Sequence, residues 1–342
     1  MNYENLFQPL EVKKTRFKNR FVMPPMATNM GITSEQALAY YGERARGGVG
    51  SVIVEGTEVR RFTSPEFVEG AAKLARRIEA AGAVPLIQLV HGRDFGAEEV
   101  DVSGSGDRRP VSKGEIGKMI EDFALAARKA QEAGFYGAEV HGAHQFFFNQ
   151  FFSPAYNARE DEFGGNLVGR MKLGLETVKE IGKETEKDFL VLYRHTPVWF
   201  EGEEGYGLQE SIQLVQALKE VGLDIIDISP SADEETETPF GKGAHAGLAG
   251  AVRREVNLPL IAVGKMEEAA KAEQALTQGK ADLVAVGRGL IADPQLPRKV
   301  EEGRPAEIVE CIKCNEKCYG NLEKGIAISC TQNPEAGREY QS

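Results

Sequence analysis

Two histidines three positions apart, His141 and His144, end the small-residue stretch Gly137-Ala138-Glu139-Val140-His141-Gly142-Ala143-His144 and open a long irregular segment. Such a pair can aim two donors at one oxygen, bind a metal or move a proton. A zinc pair lacks an acidic or cysteine partner at ligand spacing in that loop, and a general base lacks a visible orienting group. A purely structural pair is the remaining reading. A second cluster is Cys311, Cys314, Cys318 and Cys330, which are all the cysteines of the chain, spaced C-x2-C-x3-C-x11-C. Four thiolates so spaced can enclose a 4Fe-4S cluster or a tetrahedral zinc, and spacing alone leaves both open. Thirdly, two apolar runs end in Val263-Gly264-Lys265 and Val286-Gly287-Arg288-Gly289. Glycine lets backbone N–H groups approach an anion, and Arg288 adds a planar charged fork, so a phosphate suits this pair of turns. Tight turns beside a surface arginine are the plainer reading.

These residues need a frame that brings them together. Apolar, β-branched runs alternate with helix-period segments eight times. The expected strands are 21–26, 51–55, 84–90, 137–142, 189–194, 224–229, 260–264 and 282–287. The expected helices are 34–46, 70–81, 114–133, 167–183, 208–221, 245–256, 266–278 and 294–302. Strands that are continuously apolar suit a parallel sheet buried on both faces. Eight strand-helix units in about 290 residues predict an α/β fold, a (β/α)8 TIM barrel, over residues 1–303, with a four-cysteine module at 304–342. A doubly wound open sheet is the rival, but its glycine fingerprint follows none of the strands. Segments 92–113, 144–166 and 230–244 exceed ordinary loop length, and all follow strand C-termini, the face on which barrels build pockets.

Composition narrows the class. With 42% hydrophobic and 27% charged residues the chain reads as a soluble globular protein. A formal charge of -11 argues against a nucleic-acid partner. No run of about 18 apolar residues predicts a membrane span. The start, Met1-Asn2-Tyr3-Glu4-Asn5, has neither a basic nor an apolar segment, so a cytoplasmic location is expected, and with it no disulfides. A homo-oligomer is left open.

The ordered set of motifs carries a resemblance. Leu6-Phe7-Gln8-Pro9-Leu10 and Lys18-Asn19-Arg20-Phe21-Val22-Met23-Pro24-Pro25-Met26 open it; Ser153-Pro154, Asn157, Arg159, Asp161 and Gly164-Gly165 continue it. The cysteines, followed by Asn333-Pro334, close it. In these the chain resembles the old yellow enzyme family of FMN-dependent reductases, most of all the FMN/iron-sulfur branch that includes bacterial 2,4-dienoyl-CoA reductase. The resemblance implies FMN across the rim. Pro24, Pro25, Met26 and Ala27 would form the wall beneath its ring, Gly56 would allow close packing, and Gln88 would meet the pyrimidine edge. Arg194 would sit near N1 and stabilise the anionic reduced ring; a structural ion pair inside the barrel is its other reading. Gly264, Gly287 and Arg288 would take the phosphate. His141 and His144 would donate to the substrate oxygen on which charge develops. The implied activity is an ene-reductase that moves hydride from reduced flavin to the double bond of an enone or enoyl thioester. NADH or NADPH would be the reductant, and a 4Fe-4S cluster on the cysteines the electron relay, zinc being the alternative.

The chain also departs from that pattern. Gln145-Phe146 stands where the family usually has Gly-Tyr, and phenylalanine cannot give a proton. Tyr206, His245, Asp233 or solvent are the candidate replacements. Ala27 lacks the hydroxyl or thiol that relatives often place there, and Gln88-Leu89-Val90-His91-Gly92-Arg93 is one residue short of the usual spacing. The cluster Phe146, Phe147, Phe148, Phe151 and Phe152 reads as an anchoring core, with one ring free to floor an apolar pocket. No dinucleotide fold follows the cysteines within the 342 residues. Either NADH or NADPH reduces the flavin directly, a separate FAD-containing reductase feeds the cluster, or the chain is part of a longer protein. Rival functions are a flavin/iron-sulfur amine demethylase or dehydrogenase, a non-catalytic electron-transfer subunit, and a flavin-free aldolase barrel that leaves the cysteines unexplained.

Overall fold

The computed structural model describes residues 3–95, 98–201, 203–230 and 245–341. Its centre is a closed ring of eight parallel strands that follow one another around the circle in chain order. They are β1 (Phe21–Met23), β2 (Ser51–Glu58), β3 (Val84–Val90), β4 (Gly137–Gly142), β5 (Leu190–His195), β6 (Ile225–Ile228), β7 (Leu260–Val263) and β8 (Leu283–Ala285). The expected (β/α)8 TIM barrel is therefore what forms. β1 stops sooner than its apolar run because Pro24 and Pro25 have no N–H for the ladder.

Around the ring lie α1 (Glu35–Arg46), α2 (Pro65–Ala80), α3 (Lys113–Glu132), α4 (Phe147–Phe152), α5 (Leu167–Glu184), α6 (Leu208–Glu220), α7 (His245–Glu255), α8 (Ala269–Thr277), α9 (Arg288–Ala292), α10 (Leu296–Glu301) and α11 (Tyr319–Glu323). α2 starts five residues before its expected position, since Ser64 Oγ accepts from Phe67 N at 3.2 Å and Pro65 opens the first turn. α3 begins on a capping box between Ser112 and Glu115.

Strand parity divides the core in two. Val54, Ile87, Val140, Val191, Ile226 and Ala262 belong to the large outer core, whereas Ile53, Leu86, Leu192, Ile225 and Ile261 form an inner apolar cluster. A hairpin of Leu10–Val12 and Thr15–Phe17 adds Val12 and Phe17 to that inner cluster. Its Lys13 Nζ bonds Phe189 O at 2.8 Å and pairs with Asp224 at 2.7 Å, where β5 and β6 begin. The hairpin thus plugs the end opposite the strand C-termini. Near those C-termini the same inward parity carries Gln88, Glu139, Arg194 and Asp227, so the inside of the ring changes from aliphatic to polar toward one mouth.

The long segments assemble over that mouth. Residues 92–113 contain short strands, and 144–166 contains α4 with Phe147, Phe148, Phe151 and Phe152 all buried. Arg159 joins them, donating to Val102 O and Val111 O at 2.7 Å each while pairing with Asp161. Residues 231–244, with Asp233, lie outside the described residues. The tail docks against the barrel: Ile328 and Ala336 join the outer core, Ile328 N donates to Thr28 O at 2.9 Å, and fully buried Arg44 pairs with Glu339. Among the described residues no helix is long and apolar enough to cross a membrane.

Candidate active site at the barrel mouth

Two adjoining cavities open at the C-terminal ends of the strands. The larger, about 1170 Å³, is lined by Pro25, Met26, Ala27, Gly56, Gln88, His141, His144, Phe146, Arg194 and Arg288, with Tyr319, Leu322 and Ile328 from the tail. The smaller, about 270 Å³, is lined by Pro24, Met26, Arg194, His245, Gly264, Lys265, Gly287, Arg288 and Lys313. Every expected cofactor contact thus lies on one of the two, and Met26, Arg194 and Arg288 lie on both. Tyr206 lies on neither.

Glycine has a steric purpose here. A Cβ on Gly56 would come within 3.1 Å of Gln88 Oε1, and one on Gly287 within 3.2 Å of Met26 Sδ. Gly264 is the most constrained, with φ +107 and only 2.6 Å between an added Cβ and His245 Cδ2. If Gly264 takes the phosphate that the family resemblance implies, Gly264→Ala is expected to weaken FMN retention about tenfold while the far-ultraviolet spectrum stays native, measured by flavin released on dilution; undiminished retention would count against that role. The wall residues are held from behind, because Glu55 accepts from Thr28 N at 2.7 Å and from Tyr41 Oη at 3.3 Å.

His141 and His144 face each other edge to face with ring centres 5.4 Å apart. Phe146 tilts over His141 at 4.2 Å and is 48% exposed, so it is the ring of its cluster that reaches the cavity. Burial, then the charges of His144 and Arg194, holds His141 well below the ordinary imidazole range. Burial and Arg194 take His144 down to about 3 against an opposing bond from Ser229. Both rings are therefore neutral at pH 7, each carrying one N–H. His144 and Gln145 adopt left-handed φ of 57° and 59°, which costs about 1 kcal/mol or more each for residues with a Cβ. The bend is fixed by His144 N donating to Thr196 Oγ1 at 3.0 Å, by Gln145 N donating to Asn149 Oδ1 at 2.9 Å, and by the His144 Nε2 contact with Ser229 Oγ at 2.9 Å.

Tyr206 supports this bend from inside. Its hydroxyl accepts from Asn149 Nδ2 at 2.6 Å and donates to Thr196 O at 2.8 Å, and it is fully buried. Its proton is committed to a carbonyl, and the structure does not bring it to the cleft. His245, the first residue of α7, borders the smaller cavity beside Gly264 and not the histidine pair. Neither stands where an acid could reach a group beside His141.

Arg194 organises the layer beneath. It donates to Pro25 O at 3.3 Å and Ser229 Oγ at 3.0 Å, and its Nε lies 3.2 Å from Asp227 Oδ2 without hydrogen-bond alignment. Gln88 Nε2 donates to Glu139 Oε1 at 2.8 Å. Sequence reasoning missed Glu139, Asp227 and Ser229; the signal available was a polar residue at inward parity in an otherwise apolar strand.

Cys311, Cys314, Cys318 and Cys330 all line one small cavity together with Arg288. Among the described residues no three His, Cys, Asp or Glu side chains form a ready site for a single metal ion. Burial raises the Cys311 thiol, while the Lys313 backbone and Arg288 lower it. Arg288 also donates to Asn315 Oδ1 at 2.9 Å. Cys318 lines both this cavity and the large cleft.

The chain and its fold are similar to those of known proteins. The profile of the NADH:flavin oxidoreductase / NADH oxidase family matches residues 5–307. An NADH oxidase of Thermoanaerobacter brockii is 36% identical, over 99% of this chain and 57% of that protein. The fold superposes on 2-naphthoyl-CoA reductase in complex with 2-naphthoyl-CoA with a TM-score of 0.89 at 26% identity, covering 99% of this chain and 58% of that one. It superposes equally, TM-score 0.89, on histamine dehydrogenase from Rhizobium sp. 4-9 at 28% identity, covering 98% and 53%. The chain therefore spans less than two thirds of the length of each.

Proposed function

Because the chain belongs to the NADH:flavin oxidoreductase / NADH oxidase family, we propose that it is an FMN-dependent, NAD(P)H-consuming reductase of activated carbon-carbon double bonds. Enones and enoyl thioesters are the substrate class. The observation that carries this reading is the pair of neutral imidazoles, His141 buried and His144 half-buried, beside a cleft bounded by Gln88, Arg194 and Arg288. The residues present fit FMN: a buried guanidinium at one end, glycines whose Cβ atoms would intrude, and Arg288 with two glycines at the other.

The flavin, when bound, supplies hydride. The protein does the rest. Gly264, Gly287 and Arg288 hold the phosphate, Gln88 and Arg194 orient the pyrimidine edge, and Pro25, Met26 and Ala27 back the ring. His141 and His144 give their N–H groups to the substrate carbonyl, stabilising the oxygen as negative charge gathers on it. With Phe146 in place of a phenol and the Tyr206 hydroxyl turned inward, solvent supplies the proton to the α-carbon. The four cysteines would hold a 4Fe-4S cluster as the route for single electrons, with Cys318 between cluster and cleft; zinc is the alternative occupant.

A second reading, amine dehydrogenation, is favoured by the equal likeness to a histamine dehydrogenase and by the missing phenol, which an oxidation does not need. One experiment separates them. Protein purified without oxygen is reduced with NADH or NADPH and mixed with enones, enoyl thioesters or an electron acceptor, and separately with amines while oxidised. Rapid flavin reoxidation by enones is expected; reduction by amines with no response to enones would reverse the assignment. A colourless preparation carrying stoichiometric zinc would remove the cluster.

A further inference from the structure

Four inward side chains from four adjacent strands cluster under the mouth: Gln88 on β3 is in register with Glu139 on β4, Arg194 on β5 is in register with Asp227 on β6, and Arg194 stands one inward position beyond Leu192, the β5 partner of Glu139. Glu139 and Asp227 are wholly shielded from solvent. Arg194 is the cation whose charge acts on both, its Nε 3.2 Å from Asp227 Oδ2, and its other nitrogens donate to Pro25 O and Ser229 Oγ. Gln88 gives one amide proton to Glu139 Oε1. That leaves Glu139 Oε2 and both Asp227 carboxylate oxygens without a hydrogen-bond donor among the described residues. Among the described residues no other charge faces the pair: His141 and His144 toward the mouth are neutral, and the neighbouring inward Leu86, Leu192 and Ile225 are aliphatic. Two carboxylates against one guanidinium would leave an uncompensated negative charge in a dry layer, which costs several kcal/mol. A proton on one carboxyl supplies the missing donor and removes that charge.

This step rests on the flavin reading above and goes beyond it. We propose that the Glu139–Asp227 pair is a redox-linked proton site, which in alkaline solution binds one proton when electrons arrive on the flavin and releases it when they leave. The balance is simple. Hydride from NAD(P)H carries two electrons and one proton to the ring, no electron moves in the pair, and one carboxylate oxygen gains an O–H bond at the expense of hydronium or water. Glu139 is therefore a positioning residue: it touches Gln88 and sets the charge behind the ring.

The pH window follows from the resting state. Burial, then the Asp227 charge, pushes Glu139 up to about 8, and burial pushes Asp227 up to about 6. Near pH 7 the pair keeps one proton, and Arg194 balances Asp227. Above about pH 8 the oxidised enzyme loses that proton. A negative charge arriving nearby raises the affinity of the pair, so reduction above that pH must take a proton up again.

The test is the FMN midpoint potential of the holoenzyme against pH, for wild type and Glu139→Gln. Each proton bound per two electrons adds about 30 mV per pH unit, the equivalent of a tenfold shift in equilibrium. Above about pH 8 the wild-type slope should be steeper than that of Glu139→Gln by this amount. Parallel slopes overturn the proposal. Should Glu139→Gln fail to fold, redox-difference infrared spectra of the wild type at high pH decide it: the carbonyl band of a protonated carboxyl must appear on reduction, and its absence overturns the proposal. Asp227→Asn, which removes the repelling charge, should move the uptake to lower pH. Protein that binds no flavin defeats the flavin reading together with this one; bound flavin with parallel slopes defeats the proton site alone.

Discussion

His141→Ala is expected to slow reoxidation of the reduced enzyme by an enone about 10²–10³-fold, the usual loss when one donor to a developing oxyanion is removed. FMN should stay bound, and reduction by NADH or NADPH should change little. The reasons are geometric. His141 lies on the large cleft and not on the smaller cavity that would hold the phosphate, so its loss leaves the cradle untouched. His144 remains fixed by Ser229 and Thr196 and supplies a single donor. The double variant His141→Ala/His144→Ala should therefore be worse than either single one, but by less than the product of the two losses, because two donors to one oxygen act as a unit. Rapid mixing that follows the flavin band reads each half-reaction. An unchanged second half-reaction with full FMN content would leave the imidazoles idle and favour a simple electron carrier.

The second large effect is on the fold itself. Arg194→Met keeps the length of the side chain but leaves Asp227 and Glu139 with no cation in their layer, and breaking a buried pair by removing one partner typically costs about 3–5 kcal/mol. Urea unfolding should show that loss, and flavin should leave at the same time. The pH dependence gives the cause away. Asp227 ionises at about 6 in the wild-type fold with Arg194 holding it down, so without that cation the carboxyl keeps its proton to higher pH and the deficit opens as the pH rises above about 6. A deficit that does not vary between about pH 5 and about pH 8 would point to lost packing and not to an unbalanced charge.

Much of this was readable in advance for a definite reason. Parallel strands covered on both faces leave continuous apolar runs, and all eight lie where those runs do, trimmed at β1 by Pro24. Gln88, His141, Arg194, Gly264 and Arg288 converge because each sits at the C-terminal end of a strand or just beyond it. Tyr206 did not follow that rule. It belongs to a small hairpin, Trp199–Glu201 with Glu204–Tyr206, that folds its phenol inward under the loop bearing His144; Gly202 and Gly205 signal a turn in the sequence, but nothing local says which way the phenol points. The buried acids were hidden for the opposite reason: a single Glu or Asp inside an apolar run looks like an interruption until strand parity shows it pointing into the ring. The docking of the tail was equally hidden, since Arg44 and Glu339 stand 295 positions apart.

That docking has a consequence for engineering. Tyr319, Leu322 and Ile328 wall the cleft, and Glu339 neutralises a guanidinium buried between α1 and the tail. Cutting the chain after residue 303 would strand that cation and strip away one side of the chamber where chemistry takes place. A stripped-down cylinder, attractive as a minimal biocatalyst, would thus be neither sturdy nor shaped for its cargo.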